Sequence, residues 1–499
     1  MTELIPKLAG VCILWRNIKN NPEVLLIKRG ETMEFLPGHH AFPGGRVEKE
    51  DWNYYIDGKA EQKIKSAFIG AIRETFEETG YFPSIIDNKQ KKDELKKLWY
   101  DLHNRKVGFN KIIDFLHLKL NLDDVPFSGP WITPPGLPKR FETYFFFIEW
   151  KEEYFKLGNI SIDEVESILW NTPKNILQQW HEKKVSLSTP VAYILEQIEY
   201  FGIPEVFHNL NIIPWKRDGY SYFHPRAGVH IFPLPCPLDT FFNQVNCVVI
   251  GKDEMLIIDP GSGEEQSTKE MIFWLEHFIK MGSKLVGICI THSHIDHIGS
   301  AELIAKHFEL PIYASPECKG KIPFPIDGIL NNGDKIILGK NDIPWIIEVI
   351  STPGHTEGHL SFYENTTKTL IAGDIISSEG PVLIDPDDGG SMGKYMDSIG
   401  KISTLDIDLI IPGHGVVLFF MPGNKMIKKL IEHRKLREEK IINLIKSGVS
   451  SINELLLEAY NDVPKERLHL AKQQLKAHLI DLKEKNIISQ QLFDKYLLS

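Results

Sequence analysis

Between Gly287 and Ser300 the chain reads GICITHSHIDHIGS, placing His292, His294, Asp296 and His297 within six positions directly after an apolar run. Three imidazoles and a carboxylate crowded at the end of a buried segment need a partner common to all of them, and a metal ion is such a partner. A strand ending at Thr291, followed by a loop, can turn these side chains toward one point. For any single histidine the alternative is a hydrogen-bonded polar loop. Further ligand-type residues follow later apolar runs: His355 in STPGHTEGH, Asp374 in IAGDI and His414 in IIPGHG. Parallel packing of the strands before them would carry all three to one edge of a sheet.

A second constellation lies near the N-terminus. In IRETFEETGY, Glu74, Glu77 and Glu78 stand at i, i+3 and i+4, which puts three carboxylates on one face of a helix. Like charges at that spacing repel, so the face is either fully solvated or occupied by a hard cation. Arg73 precedes the acids, Gly80 follows them, and AFPGG lies upstream.

The elements that must position these groups are legible in outline. At 499 residues the chain exceeds one ordinary core, so two or three domains are expected. Two strand-like runs, LAGVCILW and VLLIKR, meet at a polar turn around Asn20 to Pro22. A helix is expected from about Lys63 to Thr79, then a charged helical insert, the strand FETYFFFIEW and a helix over about Thr189 to Gly202. From Gly228 a hairpin (CVVIG, MLIID), a helix over about Glu264 to Met281 and the strand KLVGICIT lead into the histidines. Strands then alternate with short helices, which implies a layered α/β fold. After Lys425 the strands stop, and a long helix, a break at Gly448, a helix capped by Ser451 and another over about Lys465 to Glu484 suggest a small helical domain.

Composition narrows the class. With 42% hydrophobic and 25% charged residues the chain is ordinary and globular, and a net charge of -10 argues against coating nucleic acid by bulk attraction while leaving room for a local basic site. Residues 425–499 hold 15 Lys and Arg against 10 Asp and Glu, so charge is uneven. Cys12, Cys236, Cys247, Cys289 and Cys318 form no CxxC and read as reduced core thiols. No apolar run reaches the ~18 residues of a membrane span, and the first residues lack a cleavable-leader pattern, so a cytoplasmic protein without membrane contact is expected.

THSHIDH, His355, Asp374 and His414, with Asp259 of LIIDPG, resemble the motifs of the metallo-β-lactamase superfamily over about residues 228–422. The resemblance implies an αββα sandwich with two metal ions, His292, His294 and His355 on one, Asp296, His297 and His414 on the other, and Asp374 bridging them. Imidazole with carboxylate suits two Zn2+, although manganese and iron accept the same ligand types. A pair of such ions lowers the pKa of a shared water toward neutrality, which makes a hydrolase, and Asp296 would both ligate metal and orient the nucleophile. Aspartate rather than cysteine at 374 points away from antibiotic hydrolysis, and toward glyoxalase II, which cleaves thioesters, or the RNA-cleaving branch, which cleaves phosphodiesters. IEHRKLREEKI and LAKQQLKAHLIDLKEKNII resemble the winged-helix appendage of lactamase-like hydrolases, a group that includes a single-strand endoribonuclease, and their basic excess would suit single-stranded RNA. Leu475, Leu479 and Leu482 as plain helical core is the competing reading.

REtFEEtG resembles the Nudix signature. It departs from the compact pattern by about 14 extra residues between Gly45 and Arg73, by Asp51 in place of a glutamate and by Thr75 in place of an aliphatic residue. FLPGHHAFPGGRVEKED, WITPPGLPKRFETYFF and EVESILWNTP follow the order of a long-insert subfamily related to peroxisomal coenzyme A diphosphatases. That resemblance implies Glu74 as catalytic base, Glu77 and Glu78 (with Glu74) as ligands of Mg2+ or Mn2+, and Lys139 and Arg140 near substrate phosphates.

The expected organisation is an α/β multidomain chain: a Nudix α/β/α sandwich over 1–202 with a helical insert at about 83–130, a linker over 203–227, a metallo-β-lactamase αββα sandwich over 228–424 and a winged-helix-like helical domain over 425–499. The expected activity is bifunctional hydrolysis, of a small-molecule diphosphate at the first site and a thioester or phosphodiester at the second. The alternative is a single-stranded RNA endonuclease whose Nudix domain senses a nucleotide or coenzyme A.

Overall fold

The computed structural model describes residues 5–18, 21–33, 36–85, 89–117, 120–133, 139–157, 163–207, 222–236, 244–339, 344–378, 380–415, 423–449 and 451–497. The turn at residues 19–20, residues 134–138 of WITPPGLPKR and residues 208–221 of the expected linker lie outside them. The chain forms two compact units, Met1–Ala227 and Gly228–Ser499.

In chain order the N-terminal unit contains β1 (Lys7–Ile18), β2 (Asn21–Arg29), β3 (His40–Ala41), β4 (Gly44–Arg46), α1 (Gln62–Thr79), β5 (Tyr81–Ile85), α2 (Lys89–His103), α3 (Asn110–Leu116), β6 (Phe127–Ile132), β7 (Phe141–Glu149), β8 (Tyr154–Lys156), β9 (Val165–Asn171), α4 (Pro173–His181), α5 (Thr189–Phe201) and β10 (Phe223–Arg226). Its main sheet has the order β3-β2-β1-β7-β6, with β4 also on β1 and β9 on β2. Cys12, Ile13 and Leu14 of β1 are all buried, because this central strand is covered on both faces and reads as a continuous apolar run. Phe68, Ile72 and Phe76, at helical spacing on α1, turn toward the same core. The charged insert closes the other side of that core through Leu95, Trp99 and Ile112, and Trp99 Nε1 donates to Phe76 O at 2.7 Å. Gly80 caps α1 in the left-handed conformation at φ 67°.

The C-terminal unit holds two sheets. One runs β11 (Val229–Pro235), β12 (Gln244–Gly251), β13 (Glu254–Ile258), β14 (Lys284–Cys289), β15 (Ile312–Ala314) and β16 (Gly328–Ile329) side by side. The other has the order β17 (Lys335–Leu338), β18 (Trp345–Ser351), β19 (Leu360–Glu364), β20 (Thr369–Gly373), β21 (Leu409–Pro412). Helices α6 (Glu265–Lys280), α7 (Ile295–Ile298), α8 (Ala301–Phe308) and α9 (Met392–Ile402) accompany them.

The expected parallel packing needs correction here. Within the second sheet only β20 and β21 pair in parallel, while β18 to β19 and β19 to β20 are antiparallel. Two antiparallel steps restore the original direction, so β18, β20 and β21 still end on one edge, where His355, Asp374 and His414 follow. In the other sheet, parallel β13 and β14 deliver Asp259 and the histidine cluster together. The donors therefore come from the ends of two sheets rather than one.

The last segment comprises α10 (Gly423–Lys446), α11 (Ile452–Ala459), α12 (Leu468–Glu484) and α13 (Gln490–Leu497), with no strand among its described residues. Leu475, Leu479 and Leu482 are core, packed with Ile441, Leu455 and Tyr496. Ile427 and Ala477 join Ile375, Ile376, Ile399 and Ile410 in a core shared with the second sheet, so these helices are part of the same packed body. Among the described residues no helix is long and apolar enough to cross a membrane.

Candidate metal centre

All seven donors read from the sequence of the C-terminal unit come together. His292 Nε2 and His355 Nε2 lie 2.9 and 3.1 Å from His294 Nδ1. Asp374 Oδ2 lies 3.6 Å from His355 Nε2 and 3.3 Å from His414 Nε2, and its Oδ1 lies 3.3 Å from His297 Nε2. His414 Nε2 is in turn 3.1 Å from Asp296 Oδ2. Two groups result, His292/His294/His355/Asp374 and His297/Asp374/His414, in each of which the donor atoms lie within 4.8 Å of one another. Asp374 belongs to both.

The outer nitrogen of every ring is tethered. His292 Nδ1 meets Thr291 Oγ1 at 2.9 Å, His294 Nε2 meets Asp388 Oδ2 at 2.6 Å, and His297 Nδ1 meets Asp259 Oδ2 at 2.8 Å. His355 Nδ1 and His414 Nδ1 donate to Leu383 O and Gln244 O at 2.8 and 2.7 Å. Tethering one nitrogen fixes tautomer and ring orientation and turns the other inward, as in metal-binding imidazoles generally. Asp259 is held at φ 51°, a backbone state that aspartate tolerates, by the Thr291 N–H (2.7 Å) and Thr291 Oγ1 (2.6 Å). Gly413 is required by close approach, since a Cβ there would stand 2.0 Å from Asp374 Oδ1.

Buried Asp296 Oδ1 and Asp374 Oδ1 lack hydrogen-bond partners, a costly arrangement unless something occupies the space they face. Burial, then the neighbouring His297, holds His292 well below the usual imidazole range, and burial lowers His355 also, so these rings are neutral and can ligate. The other half carries charge. Burial opposes protonation of His297 and His414, but Asp374 with Asp259 in the first case, and with Asp296 in the second, pushes them up to about 10 and about 12. Asp374 lies well below the carboxylate range because His414 and His297 outweigh its burial. Three imidazoles beside Asp374 in one group, two imidazoles beside the same carboxylate in the other, and two carboxylate oxygens without partners are a donor set that fits zinc, with the protons of His297 and His414 released on binding.

Sequence reasoning missed three contributors. Cys236, read as a core thiol, places Sγ 3.6 Å from Asp296 Oδ2 and forms a third compact donor group with Asp296 and His414. Asp388 sits in a one-turn helix with no motif to mark it. Buried His359, four residues past His355, accepts from the Asp374 N–H at 3.0 Å and so places that residue's backbone; its signal was the second histidine of GHTEGH.

The acids of the N-terminal unit are arranged differently. Arg73 Nη1 donates to Glu74 Oε1 at 3.0 Å and Glu77 Oε2 at 3.4 Å, while Nε and Nη2 grip Asp51 at 3.1 and 3.0 Å. Glu78 Oε2 accepts from the Gly44 N–H at 2.9 Å. Gly45 admits Glu74, since a Cβ there would stand 2.5 Å from the Glu74 Cδ. Burial raises all three glutamates, Glu74 against the pull of Arg73, Glu77 to about 7, and Glu78 well above the usual range with help from Glu74. Among the described residues these acids do not form a compact donor group. Buried Arg140 donates Nε to Thr133 O at 2.9 Å.

Fold and site together define a metal-binding hydrolase. The Metallo-beta-lactamase superfamily matches residues 240–414. An uncharacterized protein of Aquifex aeolicus is 32% identical over 191 residues, 34% of this chain and 84% of that protein. A hydroxyacylglutathione hydrolase of Haemophilus influenzae is 31% identical over 195 residues, 34% of this chain and 86% of that protein. The chain belongs to the metallo-beta-lactamase superfamily. A solved Nudix hydrolase from Alicyclobacillus acidocaldarius is similar at 25% identity over 42% of this chain and 99% of that one, with a TM-score of 0.36.

Proposed function

We propose that the chain is a bifunctional metal-dependent hydrolase whose C-terminal unit cleaves a thioester with two zinc ions. The observation that carries this reading is Asp374, shared between two groups of converging donors. When bound, the ions lower the pKa of water and polarise the electrophile. The residues supply placement: Asp296 keeps Oδ1 unengaged and would accept a hydrogen bond from the attacking water, fixing its line of approach. Asp259 holds the His297 ring, and the Gln244 carbonyl holds His414, so neither reorganises as charge develops. Thioester chemistry is favoured over phosphodiester chemistry because relatives bear the name hydroxyacylglutathione hydrolase.

The second reading is single-stranded RNA cleavage, favoured by the basic balance of residues 425–499. Purified zinc-loaded chain is tested on acyl-glutathione and acyl-coenzyme A thioesters and on single-stranded RNA, with Asp296→Ala as control. Thioester turnover lost in Asp296→Ala supports the first reading; intact thioesters with RNA cut selects the second.

For residues 1–202 we propose a Nudix diphosphatase of the coenzyme A type, with Glu74 as base and Glu77 and Glu78 holding Mg2+ or Mn2+, followed by a linker over 203–227, a catalytic domain over 228–424 and a winged-helix-like segment over 425–499, in a cytoplasmic protein. Magnesium-dependent turnover of nucleoside diphosphate derivatives, abolished by Glu78→Gln, is the expected result; binding without turnover by the natural chain would make this region a sensor.

A further inference from the structure

Residues 382–388 carry two of the outer partners of the centre. Leu383 O accepts from His355 Nδ1 at 2.8 Å, and Asp388 Oδ2 meets His294 Nε2 at 2.6 Å. On its other side the same segment is held by the C-terminal helices. Arg434 Nη2 of α10 and Gln474 Nε2 of α12 both donate to Val382 O at 2.5 Å, and Arg434 Nη1 donates to Gln474 Oε1 at 2.8 Å, so the two side chains act as one clamp on one carbonyl. Lys476 Nζ, half a turn along α12, reaches Asp387 Oδ1 at 2.5 Å. Arg434 also lies over the ring of Tyr395 on α9, 5.1 Å from its centroid.

Burial makes this clamp informative. Arg434 and Gln474 are 5% and 7% exposed. A helix that needed only to cover the sheet could do so with apolar side chains, as Ile427 and Ala477 do, without desolvating a guanidinium. Two directed donors on one backbone oxygen add something that apolar packing does not supply: a fixed position for Val382, and so for the Leu383 carbonyl one residue on.

We propose that Arg434, Gln474 and Lys476 are positioning residues for the metal site formed by His292, His294 and His355, so that the C-terminal helices set the affinity of one half of the centre. The inference rests on the two-metal reading. The other half is held elsewhere, by Asp259 on His297 and by Gln244 O on His414. Loosening the clamp therefore frees the outer nitrogens of His355 and His294 and leaves those of His297 and His414 in place.

Zinc affinity of the full chain, measured by chelator competition that resolves two sites, tests this in Gln474→Leu and in Asp388→Asn, the latter a change on an exposed side chain that spares the core. Each is expected to weaken one site about tenfold or more and leave the other unchanged, as loss of an outer partner does. In a His355→Ala background the effect of Gln474→Leu on that site is expected to shrink, since only the His294 arm through Asp388 remains, whereas in a His297→Ala background its full effect persists. Lys476→Ala, which breaks an exposed pair, is expected to give a smaller shift of the same site. Equal weakening of both sites, weakening only in step with a lowered Tm, or no change would overturn the proposal. A natural chain that binds fewer than two zinc ions would overturn the two-metal reading itself, an outcome visible before any variant is compared.

Discussion

In the N-terminal unit Glu74 and Glu77 lean on Arg73, and Glu78 leans on the N–H of Gly44. In the C-terminal unit Asp296 and Asp374 lie among five histidines, and each keeps a buried oxygen without a hydrogen bond. The first cluster is braced by one guanidinium; in the second the carboxylates pair with His297 and His414, and the donor atoms converge on the space between them. Carboxylates can thus be spread along a helix face around one guanidinium or gathered with imidazoles about a common point, and only the second arrangement forms compact donor groups among the described residues. Spacing alone puts three acids on one helix face in the first unit, yet Arg73 divides them.

The sharpest way to break this comparison is Asp296→Ala. If the second cluster is a metal centre, turnover there is expected to fall to the limit of detection while the fold, relieved of a buried carboxylate, persists; unchanged turnover would make the cluster an internal polar network. Next in size, Arg73→Met should destabilise the N-terminal unit by about 3–5 kcal/mol, because it strands Asp51 in the core without its partner. Hydrogen exchange of the α1 amides measures it, and an unaltered exchange rate would show that Arg73 is not the internal counter-ion.

Asp259→Asn probes the outer support of the second cluster. It keeps the size of the side chain but removes the charge facing His297, and zinc affinity is expected to drop tenfold to a hundredfold. The smallest effect is a pH dependence of the first cluster. Burial, opposed by Arg73, pushes Glu77 up to about 7 in the folded unit against 4.5 ordinarily. Below about pH 4.5 it is protonated in both states and contributes nothing; between 4.5 and 7 the unfolded chain ionises first, so the unit loses stability as pH rises through that window. Without divalent cations, the melting temperature of α1 should fall between about pH 4.5 and 7, and Glu77→Gln should flatten the decline.

The sequence made the ligands legible because they cluster, four within six residues and three each shortly after a strand. It also placed α1, the first hairpin and the buried leucines of α12, since apolar periodicity reports burial. The pairing was only partly legible: β18, β20 and β21 do run in one direction to a common edge, but antiparallel β19 lies between the first two. Nor were the supports. Leu383 acts through a backbone carbonyl, which no side chain advertises, and Asp388 and Arg434 look like ordinary surface charges. Asp51, which departs from the glutamate of the resembled signature, turns out to be buried and gripped by Arg73. Thr75, the other departure, bonds back to Ala71 O at 2.7 Å, so a polar side chain sits in the helix core without an unpaired hydroxyl.

Because α10 and α12 share core with the second sheet, deleting residues 425–499 would unfold the unit rather than test a separable RNA-binding role. Charge reversal of exposed Lys435 and Lys472 is the cleaner probe, with a reduced salt slope of RNA binding as the result that would favour the second reading.

The measurement that bears most directly on the centre is zinc per chain, by elemental analysis of the purified natural protein and of Asp374→Ala. Two zinc ions per chain, falling to one or none when the shared carboxylate is removed, is the expected result. A natural protein that holds only one zinc ion, or a variant that keeps the same zinc content as the natural protein, would contradict it.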